Sequence, residues 1–117
     1  MSINGKAKLL RIFVGESDKV GHNTVYEEIV VSARSENLAG ATVYRGIMGF
    51  GKSSRIHTSK ILRMSDDLPL VIEIVDEESN IDKFIPTVKE LFEKADSGGL
   101  ITVEHADIIH YTSKNVD

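Results

Sequence analysis

The fold is decided by residues 40–62, which read GATVYRGIMGFGKSSRIHTSKIL. The stretch begins with a strand-like pattern, which its glycines interrupt, and it continues as a polar loop. From Asn37 to Ser65 the chain has no Asp or Glu, and the interval carries the basic residues Arg45, Lys52, Arg55, Lys60 and Arg63. All 18 acidic residues lie elsewhere in a chain of net charge −4, so one positive segment stands apart. It predicts contact with an anion or an acidic partner surface, and the alternative is a solvated loop that charge keeps soluble.

Length and composition indicate one globular domain over residues 1–117. The chain is 41% hydrophobic and 27% charged, which is ordinary for a domain that buries its own core. No apolar run approaches a membrane span and the polar start is no signal peptide, so we expect a cytoplasmic protein. The absence of cysteine excludes disulfides, thiolate metal sites and cysteine catalysis. A pI near 5.5 argues against a nucleic-acid binder.

Hydrophobic periodicity predicts four strands and two helices. The strands are expected at 6–15, 41–48, 68–76 and 100–111, with a break in the last one near Glu104 and His105. The first helix is expected to begin after Thr24, whose hydroxyl and Glu27 form a capping box, and the second after Ser79. Pro86 lies inside the second helix, which we retain because its apolar stripe continues through the proline.

The order β-α-β-β-α-β predicts an α+β fold, a ferredoxin-like sandwich in which two helices cover one face of a four-stranded antiparallel sheet. The third strand is apolar on both of its faces, so both faces of the sheet are expected to be largely covered. Because two helices cover only one face, the other face is expected to meet another subunit.

Two levels of family resemblance follow from these elements. Thr42-Val43 and then Gly49-Phe50-Gly51-Lys52 resemble the strand-to-loop passage of PII signalling proteins, and residues 97–103 (SGGLITV) are similar to their B-loop and last strand. More closely, Gly15-Glu16-Ser17, residues 38–43 (LAGATV) and residues 45–58 (RGIMGFGKSSRIHT) resemble an uncharacterised PII-like branch, domain-of-unknown-function family 190.

This resemblance implies a homotrimer with a PII/CutA-like sandwich, a T-loop equivalent at 46–62 and a B-loop equivalent at 96–100. It also implies an adenine nucleotide (ATP, ADP, AMP or a cyclic nucleotide) in the clefts between subunits, with no cofactor required. The loop would then signal to a membrane transporter, a channel or an enzyme. The chain departs from PII at Leu100, where PII has a basic residue, at Ser53, where PII has glutamine, and at Asp107 and His110, near which PII has arginines.

The candidate ligand-binding residues combine the loop base, the glycine turn and the end of strand one. Glycines let backbone N–H groups approach a phosphate, although the same glycines suit a bulged strand end. Basic side chains could grip an anion, and a carboxylate at the end of strand one could pair with Arg55 or hold a ribose hydroxyl. The set is Gly49, Phe50, Gly51, Lys52, Ser53, Ser54, Arg55, His57, Arg45, Gly98, Gly99 and Glu16.

Two other classes of function are weighed against this one. Trimer symmetry could collect the histidines into a metal site, as in a CutA-like metal-binding or structural trimer. The spacings of His22, His57, His105 and His110 match no metal motif, so metal is the alternative. No nucleophile with a base and no working pair of carboxylates is evident, so we do not predict an enzyme.

Overall fold

The computed structural model describes residues 5–50, 57–58 and 68–113, with the backbone alone at 57–58. Eight strands and two helices lie within these ranges. In chain order they are β1 (Gly5–Gly15), β2 (Lys19–Val20), β3 (Asn23–Thr24), α1 (Val25–Ser35), β4 (Thr42–Arg45), β5 (Met48–Gly49), β6 (His57–Thr58), β7 (Pro69–Glu77), α2 (Glu78–Ala95) and β8 (Leu100–Ile108). No helix in the described ranges has the length and apolar character needed to cross a membrane.

The long strands form one antiparallel sheet in the order β4-β7-β1-β8. The register pairs Ile12 with Ile72 of β7 and with Ile101 of β8, which makes β1 a central strand. The predicted four-stranded sheet and the βαββαβ order of its main elements are confirmed.

The core lies between the helices and one face of the sheet. Alternate residues of β1 and β7 point into it because successive strand side chains point to opposite faces. The buried apolar cluster comprises Leu10, Ile12, Val14, Val25, Ile29, Ala33, Leu70, Ile72, Ile74, Ile81, Phe84 and Val88. Both helices therefore cover the same face, as the sequence predicted.

Helix α1 begins with the predicted capping box. The hydroxyl of Thr24 accepts the backbone N–H of Glu27 at 3.4 Å and donates to Oε1 of Glu27 at 2.6 Å. The buried residues of the helix are Val25, Ile29 and Ala33. Beyond the end of the helix the chain passes through Asn37, which lies in the left-handed region at φ 63°.

Helix α2 does not begin at the predicted cap, Ser79. It begins at Glu78, directly after β7, and Glu77 occupies the cap position without a side-chain hydrogen bond. The reason is Asp76, a fully buried residue whose Oδ1 accepts the N–H of Glu77 at 2.6 Å and the amide of Asn80 at 3.1 Å. This carboxylate satisfies the start of the helix, so a hydroxyl cap is unnecessary. The helix continues through Pro86, as predicted.

Two predicted strand boundaries are wrong. The second long strand ends at Arg45 instead of reaching Met48, because Met48 and Gly49 pair with β6 rather than with β7. The last strand runs unbroken through Glu104 and His105, which pair with β1, and it ends at Ile108. An edge strand accommodates polar side chains at these positions without losing its hydrogen bonds to the neighbouring strand.

The second face of the sheet, which we call the open face, carries no helix in the single chain. It holds Leu9, Arg11 and Phe13 of β1 beside Val71, Glu73 and Val75 of β7, with which they pair. The Nε of Arg11 donates to Glu73 at 2.8 Å and its Nη1 contacts Glu104. The hydrogen bond to Glu73, followed by the charge of Glu104, raises the pKa of Arg11. The prediction that both faces are covered is thus met on one face only within a single chain.

Candidate functional site

One end of the sheet, which we call the loop end, collects most of the predicted site. Arg45 at the end of β4 pairs with Leu70, and Gly15 at the end of β1 pairs with Pro69. The start of β8 reaches the same end, since Leu100 pairs with Phe13. The segment between β4 and β7 therefore leaves and re-enters the sheet beside the end of β1.

Glu16 joins the two sides of that segment. Its backbone N–H donates to the carbonyl of Leu68 at 2.8 Å, immediately before β7. Its side-chain Oε2 accepts a hydrogen bond from Nη2 of Arg45, the last residue of β4. The side chain of Glu16 is 18% exposed and that of Arg45 is 60% exposed, so a largely buried carboxylate holds a guanidinium that still reaches solvent.

The second carboxylate oxygen of Glu16, Oε1, is buried and has no hydrogen-bond partner among the residues that the structure describes. The chain neighbours of the pair are engaged elsewhere: the N–H of Gly15 donates to Oδ2 of Asp18 at 2.9 Å, and the N–H of Gly46 donates to the carbonyl of Pro69 at 2.7 Å. A buried carboxylate oxygen without a donor is uncommon in a folded protein and calls for an explanation.

The base of the 46–62 segment packs closely against Pro69. A Cβ added at Gly46 would lie 2.9 Å from Cγ of Pro69, and one added at Gly49 would lie 3.0 Å from it, so this approach requires glycine. Gly49 also pairs with the backbone of His57 in the β5–β6 ribbon. Phe50, the next residue, is 71% exposed.

The predicted glycine turn lies at the loop end and is shaped by Phe92 of α2. A Cβ added at Gly99 would lie 2.5 Å from Cζ of Phe92, so the turn fits only because Gly99 has no side chain. Asp96 ends α2 in the left-handed region at φ 51°. Within the described ranges, the hydroxyl of Ser97 is buried without a hydrogen-bond partner, as is Oε1 of Glu16.

The structure brings part of the predicted site together at the loop end. Arg45, Glu16, Gly49, Phe50, Gly98 and Gly99 are described there. Gly51, Lys52, Ser53, Ser54 and Arg55 lie outside the described residues, as does the side chain of His57.

Sequence reasoning missed three features that shape this site. It did not name Arg45 as the residue with which Glu16 pairs in the structure, and the partner it suggested, Arg55, lies outside the described residues. It did not anticipate the contacts of Pro69 with Gly46 and of Phe92 with the glycine turn. The glycines themselves were a sign that another part of the chain packs closely against them. No local pattern in the sequence could identify Pro69 or Phe92 as the residues that do so.

Two clefts of the single chain are lined by none of the predicted site residues. One, of about 450 Å³, lies between α1 and β4 and is lined by Tyr26, Glu27, Val30, Val31 and Val43. The other, of about 420 Å³, is lined by Ala39, Val75, Asp107, Ile108, Ile109, His110 and Tyr111, and the hydroxyl of Tyr111 donates to the carbonyl of Ala39 at 2.9 Å. Within residues 5–50 and 68–113, no group of three or more His, Asp or Glu side chains could hold a metal ion.

Curated relatives resemble the chain over most of its length. A UPF0166 protein of Aquifex aeolicus (strain VF5) is 37% identical over 105 residues, which cover 90% of this chain and 95% of the relative. A UPF0166 protein of Methanocaldococcus jannaschii is 39% identical over 98 residues, covering 84% of this chain and 87% of the relative.

Solved structures resemble the chain in fold. CPII, a nitrogen regulatory PII-like protein from Thiomonas intermedia K12 bound to ADP, AMP and bicarbonate, superposes with a TM-score of 0.68 at 16% identity, covering 88% of each chain. Its apo form gives a TM-score of 0.62 at 15% identity, covering 92% of this chain and 97% of CPII. At these identities the likeness concerns the fold alone.

The family comparison matches residues 7–108 to DUF190, described as "Uncharacterized ACR". This range runs from the start of β1 to the end of β8 and includes the loop end. The chain therefore belongs to the DUF190 family, an uncharacterised family with the PII-like fold.

Proposed function

We propose that the protein is a trimeric PII-like regulator that binds an adenine nucleotide in clefts between subunits and signals through residues 46–62. In this proposal residues 46–62 act as the T-loop equivalent and residues 96–100 as the B-loop equivalent of one domain over residues 1–117. The observation that carries the proposal is the convergence at the loop end. There, Glu16 contacts both sides of the 46–62 segment, and the glycine turn lies at the same edge.

The open face supports the trimer. Val75 is 39% exposed and Leu100 is 54% exposed, although both belong to the central sheet. Apolar strand residues left open in a single chain are typical of a surface that another copy covers. A second subunit packed there would bring its own residues beside the loop end and would add a wall to the candidate site.

The charge of the segment and the fold together support a nucleotide as the ligand. The positive segment from Asn37 to Ser65 carries basic side chains suited to phosphate, and the fold is that of CPII, whose structure holds ADP and AMP. Because Leu100 stands where PII proteins have a basic residue and their arginines on the last strand have no match here, Lys52 and Arg55 of this chain would do most of the phosphate binding.

The connection to signalling is conformational. Fixing a long segment has an entropic cost, and ligand contacts at its base would offset part of that cost. The fixed segment would then bind a membrane transporter, a channel or an enzyme in the cytoplasm, and not a nucleic acid. The protein would act by binding and not as an enzyme.

Isothermal titration of the intact oligomer with ATP, ADP, AMP and cyclic AMP tests the proposal. Saturable heat with at least one nucleotide is the expected result, and no heat with any of them would contradict it. Parallel titrations with copper and zinc distinguish this function from a CutA-like metal-binding trimer, for which heat would appear with the metal alone.

A further inference from the structure

Among the described residues, Oε1 of Glu16 is a buried carboxylate oxygen with no hydrogen-bond partner. It belongs to an ionisable group, and a buried carboxylate oxygen is normally hydrogen-bonded. Replacing such a residue by an apolar one would remove the unsatisfied group, so the carboxylate calls for a donor that the described residues of the single chain do not supply.

Four described donors in or next to the Glu16–Arg45 pair are already engaged with other acceptors. The N–H of Gly15 is engaged with Asp18, that of Glu16 itself with Leu68, and that of Gly46 with Pro69. The Nη2 of Arg45 contacts the other oxygen, Oε2. A donor to Oε1 therefore has to come from beyond these residues.

Charge indicates which part of a nucleotide would provide the donor. A carboxylate repels phosphate oxygens and accepts hydrogen bonds from hydroxyls, as acidic side chains do with ribose hydroxyls in other nucleotide sites. Arg45 next to it is 60% exposed and retains further N–H donors for an anion. The pair thus offers an acceptor for a sugar and a cation for a phosphate side by side.

We propose that Glu16 selects ribonucleotides by accepting a hydrogen bond from a ribose hydroxyl on Oε1 while Oε2 stays on Arg45. This inference rests on the proposed nucleotide function and assigns the sugar subsite within it. Because Oε1 is buried in the unliganded protein, the residues that cover Glu16 have to shift for the hydroxyl to reach it.

The same contact gives the ligand a route to the signalling segment. Glu16 donates a backbone hydrogen bond to Leu68 on one side of the segment and accepts one from Arg45 on the other. A hydroxyl that fixes the Glu16 side chain therefore stabilises both points where the segment joins the sheet. Nucleotides without that hydroxyl would bind more weakly and hold these points less firmly.

The test compares ADP, 2′-deoxy-ADP and 3′-deoxy-ADP by isothermal titration of the wild-type oligomer, of Glu16→Ala and of Asp82→Ala. In the wild type, removal of the hydroxyl that Glu16 contacts should weaken binding roughly 10- to 100-fold, the range for a hydrogen bond to a charged group. In Glu16→Ala, all three ligands should bind with the affinity of the weakest. Asp82 of α2, which pairs with Lys8 of β1, is the matched control. Its variant should discriminate among the three ligands as the wild type does.

A further variant keeps the inference testable if Glu16→Ala does not fold. Glu16→Gln retains the shape and replaces the charged acceptor by a neutral one, so discrimination should fall to roughly 2- to 10-fold. Equal affinities for the three ligands in the wild type, or undiminished discrimination in the Glu16 variants, would overturn the inference while ADP still binds. If the wild type binds no nucleotide, the proposed function fails and this inference fails with it.

Discussion

Glu16 accepts a hydrogen bond from Arg45 across 29 positions of sequence, and the contact joins the end of β1 to the last residue of β4. Through its own N–H, Glu16 also holds Leu68 at the start of β7. One residue thus connects both sides of the positive segment to the central strand of the sheet.

The Glu16–Arg45 pair should be energetically coupled. In a double-mutant cycle with Glu16→Ala and Arg45→Ala, we expect a coupling free energy of about 1 kcal/mol, because Glu16 is largely shielded from water. Urea unfolding at fixed subunit concentration measures it. The exposed pair Glu90–Lys94 on α2 is the control, with about 0.3–0.5 kcal/mol expected for such a helix pair. Equal coupling free energies in both cycles would show that the Glu16–Arg45 contact stabilises the fold no more than an exposed ion pair does.

Gly99 should tolerate no side chain. Gly99→Ala places a Cβ 2.5 Å from the ring of Phe92, and the forced shift should lower the free energy of unfolding by about 1–3 kcal/mol. Gly98→Ala is the neighbouring control, since its added Cβ meets nothing within 4 Å and should change stability by less than about 0.5 kcal/mol. Adding Phe92→Leu to Gly99→Ala should recover part of the loss, and equal effects at the two glycines would refute the account of this turn.

Asp76 should be important for stability. Its Oδ2 accepts the N–H of Ala39 at 2.8 Å, while Oδ1 serves the start of α2. Asp76→Ala leaves these buried donors without an acceptor and should lower the free energy of unfolding by about 3 kcal/mol or more. Thermal and urea unfolding measure the loss, with Asp82→Ala as a control on the exposed side of α2. A change below about 1 kcal/mol would contradict the role assigned to this carboxylate.

The open face should be required for assembly. Val75→Arg places a charge among apolar strand residues of that face and should shift the protein from trimer to monomer in analytical ultracentrifugation, because an unpaired charge is strongly disfavoured in an interface. Val31→Arg, on the exposed side of α1, should leave the trimer intact. A Val75→Arg trimer, or a wild-type monomer, would refute the proposed assembly.

Local patterns predicted the fold well where the forces are local. The hydroxyl of Thr24 and the carboxylate of Glu27 lie three positions apart, so their capping box is visible in the sequence and is confirmed. The strand predicted at 68–76 is likewise confirmed, and its alternation places the buried Leu70, Ile72 and Ile74 on one face of β7. Pro86 did not end α2, because the apolar stripe on both sides of it packs against the sheet.

Predictions failed where distant parts of the chain meet. Ser79 looked like a cap because a hydroxyl at a helix start is a strong local signal, yet the cap is unnecessary once Asp76 is buried against Ala39 and Asn80. The pairing of Glu16 with Arg45 depends on β4 and β1 ending at the same edge, which spacing alone does not reveal. The sequence placed Glu16 in the candidate site but could not identify its partner.

The dissociation constant for ADP, measured by isothermal titration of the intact oligomer, tests the central claim most directly. The account predicts saturable heat approaching one nucleotide per subunit, and binding at least tenfold weaker in the double variant Lys52→Gln/Arg55→Gln, roughly the loss expected when charged phosphate contacts are removed. No saturable heat from the wild-type trimer with ADP, or unchanged affinity in the double variant, would contradict it.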